Sequence, residues 1–154
     1  MGYSFTDYGG RLFRVNGEWG LGFSLQLYSA FGGRNDNYRA ALGWIPLQIR
    51  ARKTWFNGWV FTELGTGPAY GFGAAEYVAP LSGEKLYYKY NEWGWLTSAM
   101  LGVDLKLHTG LSLQIFTEAA YIFAHVKNPR LTEAGSIDAR QFFLRPGLAI
   151  ALHF

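Results

Sequence analysis

Seven charged residues interrupt runs that are otherwise apolar, small or uncharged: Arg50, Arg52, Glu63, Asp104, Lys106, Glu118 and Arg145. Groups of this kind ion-pair or move protons when brought together, and burying one of them alone is costly. Each sits on one face of a stretch that alternates with period two. In residues 38–52, Gln48, Arg50 and Arg52 oppose Ile45, Leu47 and Ile49. In residues 58–72, Glu63 shares a face with Phe61, Gly65, Gly67, Ala69 and Gly71, opposite Val60, Leu64 and Tyr70. Asp104 and Lys106 continue the face of Ser98, Met100 and Gly102, opposite Thr97, Ala99, Leu101, Val103 and Leu105. A loop centred near residue 132 sets Glu118 opposite Arg145 on neighbouring strands. That register predicts a buried ion pair between them.

The elements that would hold these charges are strands throughout. The clearest is residues 142–154, where Phe142, Leu144, Pro146, Leu148, Ile150, Leu152 and Phe154 form one apolar face and Phe143, Arg145, Gly147, Ala149, Ala151 and His153 the other. Residues 18–31 alternate as cleanly, with Trp19, Leu21, Phe23, Leu25 and Leu27 opposite Gly20, Gly22, Ser24, Gln26 and Tyr28. Another strand runs from residue 111 to about 126. Pro46 inside 38–52 predicts an edge or a local bulge. Residues 3–15 either form a separate strand ending at Asn16-Gly17, a pair suited to a tight hairpin, or run on into the next strand. Connections alternate in length: 53–57 and 108–110 are short, whereas the polar 32–37 and 127–137 and the mixed 73–86 are mostly longer. Six alternating stretches are clear and 3–15 makes a seventh; an even count of eight is expected for a closed up-and-down barrel.

Composition fits a chain whose outward faces are not meant for water. Charged residues make up 16% and aromatics 18%, with 20 glycines, whereas a soluble surface uses roughly 25% charged residues. There is no cysteine, so disulfides and thiolate metal sites are excluded. No apolar run reaches the ~18 residues of a spanning helix, and no secretory signal opens the chain. The amino terminus therefore reads either as that of a chain kept in the cytoplasm or as one left by removal of a signal. The net charge of +3 is spread without a basic stripe, which sets nucleic-acid binding aside. The 154 residues read as one domain.

Over residues 18–154 this pattern resembles the small bacterial outer-membrane β-barrels, OmpA-like and lipid A deacylase-like barrels among them. Gly147, Leu148, Ile150, Leu152 and Phe154 resemble their carboxyl-terminal insertion signal. The resemblance implies an all-β, antiparallel up-and-down transmembrane β-barrel of eight strands in the outer membrane of a Gram-negative bacterium. Its lumen would be filled by side chains and hold the seven charges, without a wide pore. Aromatic girdles would be formed by Trp55, Phe56 and Trp59 at one end and by Tyr87, Tyr88, Tyr90, Trp93 and Trp95 at the other. The implied role is structural, adhesive or accessory, and the implied partners are outer-membrane lipids, lipopolysaccharide, the barrel-insertion machinery and a larger outer-membrane complex. Lys85, Lys89, Lys127 and Arg130 would lie near lipopolysaccharide phosphates.

Two other resemblances imply other functions. Ala124-His125-Val126-Lys127-Asn128 is similar to the His-x-Ser-Asn stretch of outer-membrane lipid A deacylases, and Trp59, Phe61, Glu63 and Gly65 resemble a strand of that family. That likeness implies acyl hydrolysis with His125 as base, but Lys127 stands where the nucleophilic hydroxyl belongs and cannot accept the acyl group in its place. Gly17-Glu18-Trp19 resembles the opening of lipocalins, implying a soluble carrier of a small apolar ligand; outward Phe, Leu and Trp oppose it. His108 and His153 fall at strand ends away from His125, so no metal site is expected. No catalytic residue and no cofactor is assigned.

Overall fold

In the computed structural model, which describes residues 7–35, 38–78, 85–127 and 136–152, every regular element except one short turn is a strand. They are β1 (Asp7–Asn16), β2 (Trp19–Asn35), β3 (Tyr38–Trp55), β4 (Val60–Val78), β5 (Lys85–His108), β6 (Leu111–Lys127) and β7 (Ser136–Leu152), with a single 3-10 turn at Phe56–Gly58. Each pairs antiparallel with the next, giving one seven-stranded sheet in the order β1 to β7. β1 is thus a separate strand. Gly17, at φ +63, opens the two-residue turn into β2, a conformation that glycine adopts without steric cost. At the same end of the sheet, Phe56 and Asn57 also take positive φ values, 51 and 56.

The strands run further than the alternation of apolar residues suggests. Residues 32–35, 73–78 and 136–137 continue the ladders although they read as loop. Backbone hydrogen bonding does not require an apolar face, so pairing persists where the apolar pattern stops. Pro46 is neither at an edge nor at a bulge. β3 lies between β2 and β4, and the register with β2 is the same on both sides of Pro46, from Leu25 opposite Leu47 to Tyr28 opposite Trp44. Nearby, Gly67 brings the β4 backbone so close to β3 that a Cβ there would lie 1.9 Å from the Leu47 carbonyl oxygen. Gly67→Ala is therefore expected to cost about 1–3 kcal/mol by overpacking, measured as a lower urea midpoint. An unchanged midpoint would mean that β3 and β4 separate there at no cost.

The sheet is strongly curled. β2 and β7 are five strands apart, about 24 Å across a flat sheet, yet Arg145 Nη2 of β7 lies 3.3 Å from Gln26 Oε1 of β2. Arg11 of β1 likewise reaches Glu63 of β4 and Gln114 of β6. β1 and β7 form the two edges and are not neighbours in the ladder. The concave face collects Ser24, Gln26, Gln48, Arg50, Glu63 and Glu118, all buried. The convex face carries the apolar alternates, including Leu21, Leu64, Leu144, Leu148 and Ile150, each more than 60% exposed.

Candidate functional site

The charged residues of the concave face form one connected network. Glu118 of β6 and Arg145 of β7 are register partners. The Arg145 Nε donates to Glu118 Oε2 at 3.0 Å and its Nη2 donates to the same oxygen, forming an ion pair. The other carboxylate oxygen of Glu118 accepts from Arg50 Nη2 at 2.6 Å and lies 3.2 Å from the Tyr28 hydroxyl, which donates to it. Arg50 also reaches Glu63 at 3.3 Å, Gln26 at 2.9 Å and Gln48 at 2.7 Å, and its Nε donates to Ser24. Such multiple donation suits a guanidinium, whose five N–H groups fan out in a plane.

Towards the short connections, Glu63 accepts from Arg52 and from Arg11, and Arg52 donates to Asp104 Oδ2 at 3.0 Å. Gln114 Nε2 donates to the same Asp104 oxygen at 2.9 Å, while Oδ1 is buried without a hydrogen-bond partner among the described residues. Arg52 lies 4.1 Å over the Phe61 ring and Arg145 3.9 Å over the Tyr28 ring, so aromatic faces complete their surroundings.

Above the network, towards the longer connections, Tyr28, Trp44, Ala69, Leu96, Ala120, Ile122, Ala124 and Phe143 pack as an apolar cluster. A smaller cluster of Phe61, Met100 and Phe116 lies beside Arg52 and Arg11. Gly147 faces this second cluster, where a Cβ would meet the Phe116 ring at 2.3 Å.

Six of the seven charges singled out in the sequence are brought together: Arg50, Arg52, Glu63, Asp104, Glu118 and Arg145. Lys106 is a correction. It has the inward phase but lies at the end of β5, exposed, and its ammonium donates to the Asn57 carbonyl oxygen at 3.1 Å instead of to a carboxylate. Lys106 lies beyond the end of the β4–β5 ladder, which stops at Val60 opposite Val103, and a long flexible cation there gains more from a backbone acceptor and water. Lys106→Gln is expected to shift stability by no more than about 0.5 kcal/mol; a loss as large as that for a buried charge would return Lys106 to the network. Arg11 is the network member that the sequence does not single out; Gln26, Gln48 and Gln114 have the inward phase in the sequence but are not assigned to the network there.

Chemically the network binds itself. Each carboxylate is engaged by a guanidinium, and among the described residues no group of three or more His, Cys, Asp or Glu could hold a metal ion. His125 lies apart, exposed on the convex face near the longer connections, with Asp138 opposite it in the ladder and Ser136 opposite Lys127. His108 is exposed at the other end, with its Nδ1 3.0 Å from Thr109 Oγ1. Of the expected insertion signal, Leu148, Ile150 and Leu152 are exposed on the convex face and Gly147 packs on the concave one; Phe154, like His153, lies outside the described residues. So do Arg130 and the loop 128–135. No protein-family model matches the chain, and no curated protein is similar to it at a significant level.

Proposed function

We propose that this chain is an integral outer-membrane β-barrel of structural, adhesive or accessory role, with an interior filled by side chains and no wide pore. One observation carries the reading: the polarity of the sheet is inverted relative to a protein folded in water, with the charges inside and leucine, isoleucine, phenylalanine and tryptophan outside. The dimensions agree with a bilayer. From Val60, beside Trp55, to Tyr70, beside Trp93, is ten residue steps of β4. That is about 33 Å of strand, and at a tilt of about 40° about 25 Å of membrane thickness. Trp55 and Trp59 mark one border, Trp93 and Trp95 the other, as interfacial aromatics do.

Closure into eight strands is part of the proposal. In a meander of seven, β1 and β7 run in the same direction, so an antiparallel wall takes one further strand between them. The lipids of that membrane, its lipopolysaccharide, the insertion machinery and a larger complex are the partners this role calls for. The test is migration on a gel with and without boiling after folding into detergent. A faster unboiled band is expected; a monodisperse, detergent-free monomer would end the reading. Removing Phe154 is expected to impair assembly in cells far more than refolding in detergent, and equal impairment in both would deny it a role as an insertion signal.

A second reading, hydrolysis of a lipid acyl chain, is favoured by one observation. His125 has an acid, Asp138, opposite it in register and is exposed on the face that would meet lipid. Release of an acyl chain from lipid A by the wild type but not by His125→Ala would establish it.

A further inference from the structure

We propose that Trp19, Lys53 and Trp55 form a seat for the phosphate of an anionic glycerophospholipid at the short-connection end of the sheet, an inference that rests on the membrane reading of the fold. Trp19 and Lys53 are register partners on β2 and β3, and Trp55 lies two residues further along on the same convex face. The Lys53 ammonium lies 3.9 Å from the centre of the Trp55 ring system and 5.0 Å from that of Trp19. The Trp55 indole N–H donates to Thr62 Oγ1 at 3.2 Å, and Thr62 is the β4 register partner of Lys53. That bond fixes one wall of the seat and aims the ring face at the ammonium.

Among the described residues no carboxylate balances the charge at this seat by forming an ion pair with Lys53. Glu18, next to Trp19, meets this strand through its backbone carbonyl, which accepts from the Thr54 N–H and hydroxyl. Ring faces attract a cation but offer no directed acceptor, and an ammonium has three hydrogens to place. Lys106, at the same end of the sheet, differs in having the Asn57 carbonyl.

Depth selects the ligand. Leu21, Ile49 and Leu64 lie on the convex face on the band side of Lys53, and beyond it stand the Gly17-Glu18 turn and the turn at Phe56–Gly58. Two indoles at that border belong at headgroup level, and a lysine between them snorkels outward. The acceptor found there is a phosphodiester oxygen. Arg14, exposed on the convex face of β1, adds a second cation that favours a lipid of net negative charge.

The test uses the full chain refolded into phosphatidylcholine vesicles containing phosphatidylglycerol, with bromine placed on the acyl chains of one lipid or the other to quench tryptophan. Brominated phosphatidylglycerol is expected to be enriched about fivefold at the protein over brominated phosphatidylcholine at the same mole fraction. Lys53→Gln should abolish that preference and Lys53→Arg should keep it, with gel migration confirming that both fold. Equal quenching by both lipids in the wild type, or a preference that survives Lys53→Gln, overturns the seat while leaving the membrane reading intact. Absence of quenching by either lipid overturns both.

Discussion

Replacing Glu118 with glutamine is expected to lower stability by about 3–5 kcal/mol, the cost of stranding a buried charge. Glu118 is fully buried and accepts from Arg50, Arg145 and Tyr28. Glutamine keeps the shape but replaces one acceptor oxygen with an amide that points hydrogens at a guanidinium, leaving two arginines to share what remains. The measurement is urea unfolding of the detergent-folded protein monitored by tryptophan fluorescence. Glu118→Met combined with Arg145→Met should cost less than Glu118→Met alone, because Arg50 retains Glu63 at 3.3 Å and the second stranded arginine is gone. A loss below about 1 kcal/mol in the single variant would show that the interior is wet enough to hydrate both arginines.

Leu64→Arg carries the other large expectation. Leu64 is 66% exposed on the convex face, midway between Val60 and Pro68. In water an arginine at such a site would change stability by no more than about 0.5 kcal/mol. At the centre of a bilayer it should cost about 2–4 kcal/mol. Folding the variant in lipid vesicles separates the two cases, and a cost near zero there would remove the membrane from the function. The same substitution at Trp59, at the short-connection border, is expected to cost less, since the penalty falls towards the interface.

Much of this was legible because a strand reports its faces by period two. The concave positions of β3, β4, β6 and β7 come from alternation alone, and the pairing of Glu118 with Arg145 comes from symmetry about the loop between them. Other parts were not legible, for physical reasons. β1 carries Arg11 inward and Arg14 outward, so charge falls on both faces and the period gives no preferred side. Alternation also fixes direction without fixing depth. Lys106 has the phase of Asp104 but stands beyond the end of the β4–β5 ladder. The glutamines Gln26, Gln48 and Gln114 have the inward phase, but being neutral they do not announce that as buried amides they accept guanidinium hydrogens alongside the acids.

The apolar cluster above the network has an electrical meaning. Trp44, Ala69, Leu96 and Ile122 are essentially closed to solvent, and with Phe143 and the Tyr28 ring they stack across the concave face. An ion moving along the arginines and carboxylates from the short-connection end would have to shed its hydration there, and within that cluster the Tyr28 hydroxyl alone is a polar side-chain group. For the barrel we propose, the expected result in a planar bilayer under applied voltage is no ionic current, its internal charges responding to the field as a fixed dipole.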